Sequence, residues 1–247
     1  MEHLSDVARY LDLVARRLEE EKTPRPFGHA PFVTISRQAG ADGHALADAV
    51  LRALARRQGE AFEGWEVLDR ALLHLMTEEP RLRVSMRYLL DEEYHSRMTD
   101  YFEQALAWWS PQDVVQARIF RSVRALAGGA GKIIIVGRAG ACVTSELRGG
   151  VHVRLAASEE RRVAAFRRRT GLDEKRARRR LIEMEEARAM LVRAHFRRDI
   201  DDPLLYDAVF NEDRLPSGEI AEWIVGEIEK KTALIASRTA SPQTQRP

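Results

Sequence analysis

Phe32-Val33-Thr34-Ile35-Ser36-Arg37-Gln38-Ala39-Gly40-Ala41-Asp42-Gly43-His44-Ala45 decides the fold. Phe32 to Ile35 is a short apolar run of the kind found in buried strands. Gly40 and Gly43 turn the chain, and Ala45 to Arg57 is a helix rich in alanine and leucine. A strand, a glycine-bearing turn and a helix in that order are the opening unit of a doubly wound α/β sheet. The first turn of such a sheet is where phosphate binds.

The rest of the chain repeats the alternation. Glu66-Val67-Leu68, Ile133-Ile134-Ile135-Val136, Val151 to Leu155 and Tyr206 to Phe210 read as further strands. Helical patterns follow at Ser158 to Arg169, Asp173 to about Phe196, and Ser217 to Lys231. The stretch from Arg70 to Ala127 must be several helices, because Pro80 and Pro111 interrupt it. Strands separated by helices pair in parallel and are covered on both faces. The expected main domain spans residues 30–232, with a polar, disordered tail at 237–247. Leu4, Val7, Leu11, Val14 and Leu18 form one face of an amphipathic helix over residues 1–24. That helix reads either as an arm packed on its own domain or as the contact of a homodimer.

Composition bounds the function classes. The chain has 247 residues, 45% hydrophobic and 32% charged, with a net charge of +2. This is an ordinary globular balance, and it gives no global pull toward nucleic acid. A single cysteine, Cys142, excludes a disulfide framework. No apolar run approaches the roughly 20 residues that span a bilayer, and the first residues carry no apolar leader. The expected location is the cytoplasm.

The turn after the first strand departs from the usual phosphate loop, G-x-x-x-x-G-K-[ST]. Gly40 can serve as a glycine of the turn, but Gly43 stands in the lysine place and Ala45 in the hydroxyl place. Arg37 or His44 could supply positive charge instead. The candidate nucleotide-binding residues are Ser36, Arg37, Gly40, Ala41, Asp42, Gly43, His44 and Ala45. They would act through backbone N–H groups and the positive end of the helix dipole. A tight turn without ligand is the plain alternative. Gly131-Lys132 precedes Ile133 and enters a strand, where a phosphate-loop lysine should leave one; it reads as an ordinary loop.

Five segments in order resemble the cytidylate kinase-like family. They are Ile35-Ser36-Arg37-Gln38 with Gly40-Ala41-Asp42-Gly43, then Leu68-Asp69-Arg70-Ala71-Leu72, Ile135-Val136-Gly137-Arg138-Ala139, Glu186-Ala187-Arg188, and Asp202-Pro203-Leu204-Leu205-Tyr206-Asp207-Ala208-Val209-Phe210-Asn211. The resemblance implies a P-loop NTPase-type α/β fold: a five-stranded parallel sheet flanked by helices, with an arginine-rich helical lid. It implies transfer of the γ-phosphate of ATP, with Mg²⁺, to a nucleoside monophosphate such as CMP. It places Asp69, Arg70 and Arg138 at the acceptor. The sequence departs from the family pattern at Asp42, where a glycine is expected. It departs again at Val136-Gly137-Arg138-Ala139, which lacks both acids of the D-G-R-D run of true cytidylate kinases.

Between Arg154 and Arg198 the chain is dense in arginine, and arginine forks stabilise a phosphoryl group in transfer. Arg188 and Arg193 lie at the position of the family's lid and are the catalytic candidates, with Arg138. The remaining arginines read as a solvated helix face. Only Phe166 and Phe196 interleave with them, which argues against a nucleic-acid stripe. Asp91-Glu92-Glu93 reads as a solvated helix face, with acceptor-site acids the alternative, and of the adjacent Trp108 and Trp109 one reads as core and the other as a partner or acceptor-pocket contact. His74, His95, His152 and Cys142 show no metal spacing.

Two functions follow. The leading one is an ATP-dependent phosphotransferase acting on a nucleoside monophosphate or related small molecule, supported by Arg138 and the lid arginines. The other is a catalytically inactive nucleotide-binding or regulatory module on the same fold, supported by Gly43 and Ala45.

Overall fold

The computed structural model describes residues 30–68, 111–129 and 131–239. In chain order the elements are β1 (Phe32–Arg37), α1 (Gly43–Ala55), β2 (Glu66–Leu68), α2 (Pro111–Gly129), β3 (Ile133–Val136), α3 (Gly140–Val143), β4 (Gly150–Ala156), α4 (Glu159–Thr170), α5 (Glu174–Phe196), β5 (Ala208–Asn211) and α6 (Ser217–Thr239). Short 3₁₀ turns occupy Glu60–Phe62 and Pro203–Leu205.

The strands form one sheet in the order β2-β3-β1-β4-β5, and every pairing is parallel. Central position explains composition. β1 and β3 are apolar along nearly their whole length and buried on both faces, as parallel strands under helices must be. On one face, Leu46 and Val50 of α1 and Ile220 and Ile224 of α6 pack against Val33, Ile35, Val136 and Val153. On the other, α3 approaches so closely that a Cβ on Gly140 would lie 3.2 Å from Thr34 Cβ and 3.3 Å from Ile135 Cγ2. The expected five-stranded parallel sheet flanked by helices is the one observed, with an arginine-rich helix pair between β4 and β5.

That pair, α4 and α5, is held by local rules. Ser158 caps α4 through Arg161 N at 3.4 Å, and Asp173 caps α5 through Arg176 N at 2.9 Å. Glu159 and Glu160 open α4 and Arg167, Arg168 and Arg169 close it, matching the helix dipole. The pair has its own small core of Val163, Phe166, Ala177 and Leu181, and this core also buries Ala39 of the turn after β1.

Several boundaries differ from the sequence reading. β1 continues through Ser36 and Arg37, which pair in register with Arg154 and Leu155. β5 begins at Ala208 rather than Tyr206, because the Tyr206 hydroxyl turns to donate to Ile200 O at 2.8 Å. α6 runs on to Thr239, so Ser237, where the polar tail was expected to begin, is helical. The one-turn helix α3 was not anticipated. Lys132 sits at the start of β3, with its Nζ donating to Glu60 O at 2.6 Å, far from the strand ends where ligands bind. The N-terminal helix, Asp69, Arg70, Asp91-Glu92-Glu93, Trp108, Trp109, His74 and His95 lie outside the described residues. Among the described residues no helix is long and apolar enough to cross a membrane.

Candidate functional site

β1 hands the chain to α1 on one face of the sheet, and β3 hands it to α3 on the other. The crevice where neighbouring strands part in this way is where open parallel sheets bind ligands. A cleft opens there. Its polar lining is Ser36 and Arg37 from the end of β1, Arg138 from the turn after β3, Arg188 from α5, and Tyr206. Its apolar lining includes Leu191, Val192 and Ile200.

The turn after β3 is conformationally unusual. Gly137, Arg138 and Ala139 have φ of 82°, 57° and 51°, three left-handed residues in a row. Non-glycine residues hold that conformation at a cost of about 1–2 kcal/mol each. Gly137 N donates to Ile35 O at 2.9 Å, and Gly140 N to Gly137 O at 2.9 Å, which closes the turn and brings Arg138 to the cleft.

Arg37 lies at the centre. Its side chain passes two glycines. A Cβ on Gly43 would lie 3.3 Å from Arg37 Cδ and 3.4 Å from Nε, and a Cβ on Gly137 would fall on Arg37 Nη1. The Arg37 pKa is lowered to about 10, chiefly by burial and then by Arg188, Arg138 and Arg169, opposed by Asp42. Arg188 donates from Nη1 to Arg37 O at 3.0 Å. Its pKa is also lowered, by burial first and then by Arg154 and Arg169, against the pull of Glu185. Among the described residues no carboxylate forms an ion pair with Arg37 or Arg188.

The remaining wall is a polar brace. Arg154, nearly buried, pairs with Asp201 and donates to Ser36 Oγ at 3.1 Å. The Tyr206 hydroxyl lies 3.2 Å from Ser36 Oγ, and the Arg154 guanidinium sits 5.7 Å from the centre of the Tyr206 ring. Burial, the largest effect on it, raises the Tyr206 pKa, so its phenol stays protonated. Cys142, also at the cleft, is pushed up to about 11 by burial and is a neutral thiol near pH 7.

The turn itself, residues 38–45, does not line the cleft. Several of its N–H groups are engaged within the protein. Gln38 N donates to Leu155 O at 3.0 Å, Ala39 N to Glu185 Oε1 at 3.3 Å, Ala41 N to Gln38 O at 3.2 Å and Ala45 N to Asp42 Oδ1 at 3.0 Å. Glu212, buried and with its pKa raised chiefly by that burial, takes a hydrogen bond from the Asp42 backbone. Arg162 closes the arrangement by donating from Nη1 to Ala39 O at 3.0 Å and pairing with Glu185 at 2.8 Å.

Of the residues expected from sequence, Ser36, Arg37, Arg138 and Arg188 therefore meet in one cleft. Gly40 packs on α4, Ala41 is buried, Asp42 caps α1, and His44 and Ala45 lie on its first turn, His44 exposed. Gly43 borders Arg37. Arg193 is exposed near the end of α5 and is not among the cleft residues. Sequence reasoning assigned no role to Tyr206 and read Arg162 with the solvated helix face, whereas the Arg162 side chain is largely buried and paired with Glu185. Tyr206 sat inside a quoted motif, whereas the Glu185–Arg162 link joins residues far apart in the chain and left no local signal. For Mg²⁺ the described residues offer no evident donor set. Ser36 Oγ is taken up by Arg154 and Tyr206, and among the described residues no group of three or more His, Cys, Asp or Glu side chains is arranged to hold a metal.

Comparison with known proteins bears on this geometry. The model of the cytidylate kinase-like family matches residues 32–214, which hold the whole cleft. An uncharacterized protein from Eubacterium ventriosum ATCC 27560 has a similar structure, with a TM-score of 0.63 at 16% identity, covering 81% of this chain and 98% of that one. At that identity the likeness shows the fold alone. A shikimate kinase from Bacteroides thetaiotaomicron aligns with a TM-score of 0.40 at 15% identity over 83% of this chain and 98% of its own, too low a score to carry an inference. No curated protein sequence matches significantly.

Proposed function

The chain belongs to the cytidylate kinase-like family, and from that premise we propose that it is a phosphotransferase that moves the γ-phosphate of ATP, supplied with Mg²⁺, to a nucleoside monophosphate or related small molecule. The observation that carries the reading is the cleft at the ends of β1 and β3, where Arg37, Arg138 and Arg188 converge at one strand-end crevice. Phosphoryl transfer asks little covalent chemistry of a protein. It asks for positioning and for positive charge around the transferred group. Arg138, on a strained turn, would hold the acceptor's phosphate. Arg188, on the helix pair, would meet the group in transfer, and Arg193 would join it if the pair moves inward on binding. No step is assigned to a protein-bound metal, because the described residues provide no donor set for one.

The second reading, an inactive nucleotide-binding module, has its own observation. Glu185 and Asp42 already occupy N–H groups of the turn that a triphosphate would need. Incubation with Mg-ATP and a panel of nucleoside monophosphates, with ADP followed, separates the two. Acceptor-dependent ADP is expected. Nucleotide binding without ADP for any acceptor would favour the inactive module.

A further inference from the structure

The helix pair meets the turn after β1 through polar contacts centred on one carboxylate. Glu185 of α5 accepts from Ala39 N at 3.3 Å and from Arg162 Nη1 at 2.8 Å, and the same Nη1 donates to Ala39 O at 3.0 Å. One helical turn further along α5, Arg188 donates to Arg37 O at 3.0 Å. Gly40 leaves room for this approach, since a Cβ on it would lie 2.8 Å from both Arg162 Cβ and Arg162 O. A backbone N–H and an arginine fork aimed at one point hold an anion. Here the anion is the protein's own.

The way the pair is mounted lets this carboxylate leave. The Glu185 side chain is 35% exposed and the Arg162 side chain 11%, so the acid can return to water while the arginine stays. The pair's small core of Val163, Phe166, Ala177 and Leu181 is separate from the core of the sheet, and of the turn only Ala39 enters it. Another apolar anchor lies at the far end of α5, where Phe196 and His195 pack on Phe120 of α2 with ring centres 5.1 and 5.3 Å away. At 1.5 Å per residue that anchor is roughly 16 Å along the helix from Glu185. An element with few buried apolar contacts at one end opens there at low cost while its packed end holds.

We propose that Glu185 is a latch: in the unliganded chain it holds the helix pair on the turn by occupying the place of a nucleotide phosphate, and a bound triphosphate displaces it and takes over Ala39 N–H and Arg162. The latch reduces apparent nucleotide affinity in proportion to the fraction of molecules in which it stands open. This rests on nucleotide binding at the turn, as in the function proposed above, but not on phosphoryl transfer.

The test is calorimetric titration of the full chain with Mg-ATP, with thermal melts beside it. Glu185→Gln keeps the side chain's size and removes its charge. It should bind Mg-ATP about tenfold tighter than the wild type, because one charge-assisted contact no longer has to be broken. Without nucleotide it should melt lower, since Arg162 loses its partner. A merely structural pair would give the lower melt without the tighter binding. Arg162→Met in the Glu185→Gln background should lose the gain, because the group that receives the phosphate is gone. Glu186→Gln, an exposed neighbour on α5, removes the same charge one residue along and should bind as the wild type does. Glu185→Asp keeps a charge but is one methylene shorter. It serves if Glu185→Gln does not fold, and should show part of the gain. Unchanged or weaker binding by the folded Glu185 variants overturns the proposal, as does an equal gain from Glu186→Gln. Binding by Glu185→Gln with none by the wild type at millimolar Mg-ATP would make Glu185 a permanent plug and also overturns it. No Mg-ATP binding by any variant overturns the nucleotide reading together with the latch. Tighter binding by Glu185→Gln without ADP formation in the acceptor panel upholds the latch and overturns phosphotransfer. ADP formation by the wild type with unchanged affinity in the Glu185 variants does the converse.

Discussion

Replacing Gly40 by alanine should destabilise the protein whether or not it binds nucleotide. Gly40 has φ of +93°, which an L side chain rarely adopts, and the left-handed backbone costs about 1–2 kcal/mol. The new Cβ would also lie 2.8 Å from both Arg162 Cβ and Arg162 O. One of those atoms is helix backbone, so α4 must shift, and overpacking of this kind costs about 1–3 kcal/mol. Together the change should remove roughly 2–5 kcal/mol, a large part of a typical domain's stability. Gly171→Ala is the matched control. Gly171 has φ of +72° with nothing within 4 Å, so it carries the backbone cost alone. Urea unfolding of the two variants and the wild type, read at constant m, gives the difference directly. Gly40→Ala should lie below Gly171→Ala by about 1–3 kcal/mol. Equal losses would show that α4 does not press on the turn and would refute the packing argument. The same result matters for function, because lost nucleotide binding in a Gly40 variant would not by itself identify the turn as the phosphate site.

Other outcomes follow from the same geometry. If the protein is a phosphotransferase, Arg188→Ala should chiefly lower kcat, by about 10³ if it acts as an arginine finger, and Arg138→Ala should chiefly raise the acceptor KM; steady-state kinetics with Arg179→Ala as control would read both, and three variants alike would end the catalytic reading of the helix pair. Arg193→Ala should match Arg188→Ala only if the pair moves inward on binding; unchanged kcat would leave Arg193 on the surface. His152 is held at a pKa of about 4, chiefly by burial and further by Lys231, while Asp207 pulls the other way. Its folded value is below its unfolded one of about 6.5, so its contribution is present above pH 6.5 and lost as pH falls toward 4, by up to roughly 3 kcal/mol. Melting curves from pH 7.5 to 4.5 should fall less steeply for His152→Asn than for the wild type, and parallel slopes would refute this.

The sheet was legible because central parallel strands must be apolar through and through, and Ile133 to Val136 and Phe32 to Ile35 are. The ends were less so. Ser36 and Arg37 are polar yet belong to β1, because their neighbours Arg154 and Leu155 continue the ladder. Tyr206 has high strand propensity, but its hydroxyl bonds to Ile200 O hold it out of β5. In both cases tertiary partners overrode local pattern. The link from Glu185 and Arg162 to Ala39 could not be read at all, since it depends on how a helix pair docks on a turn over a hundred residues away.

The site shows the limit of motif reading most clearly at Gly43. Against the phosphate-loop pattern it is a missing lysine, and so a sign of lost function. In the structure that missing side chain is space, and Arg37 runs through it. Gly137 does the same from β3, where the family's acid-flanked run has become Val136-Gly137-Arg138-Ala139. A lysine at position 43 would start beside Arg37 Cδ and Nε and compete with it for one volume and one charge. The positive group at this strand end therefore comes from β1 itself rather than from the helix that follows it. A single substitution tests that exchange. Gly43→Lys in an Arg37→Ala background should recover phosphate binding that Arg37→Ala alone has lost, whereas Gly43→Lys in the wild type should lower stability by crowding two cations. If the double variant binds no better than Arg37→Ala, the charge at this point is not transferable, and Arg37 is more than a substitute for the missing lysine.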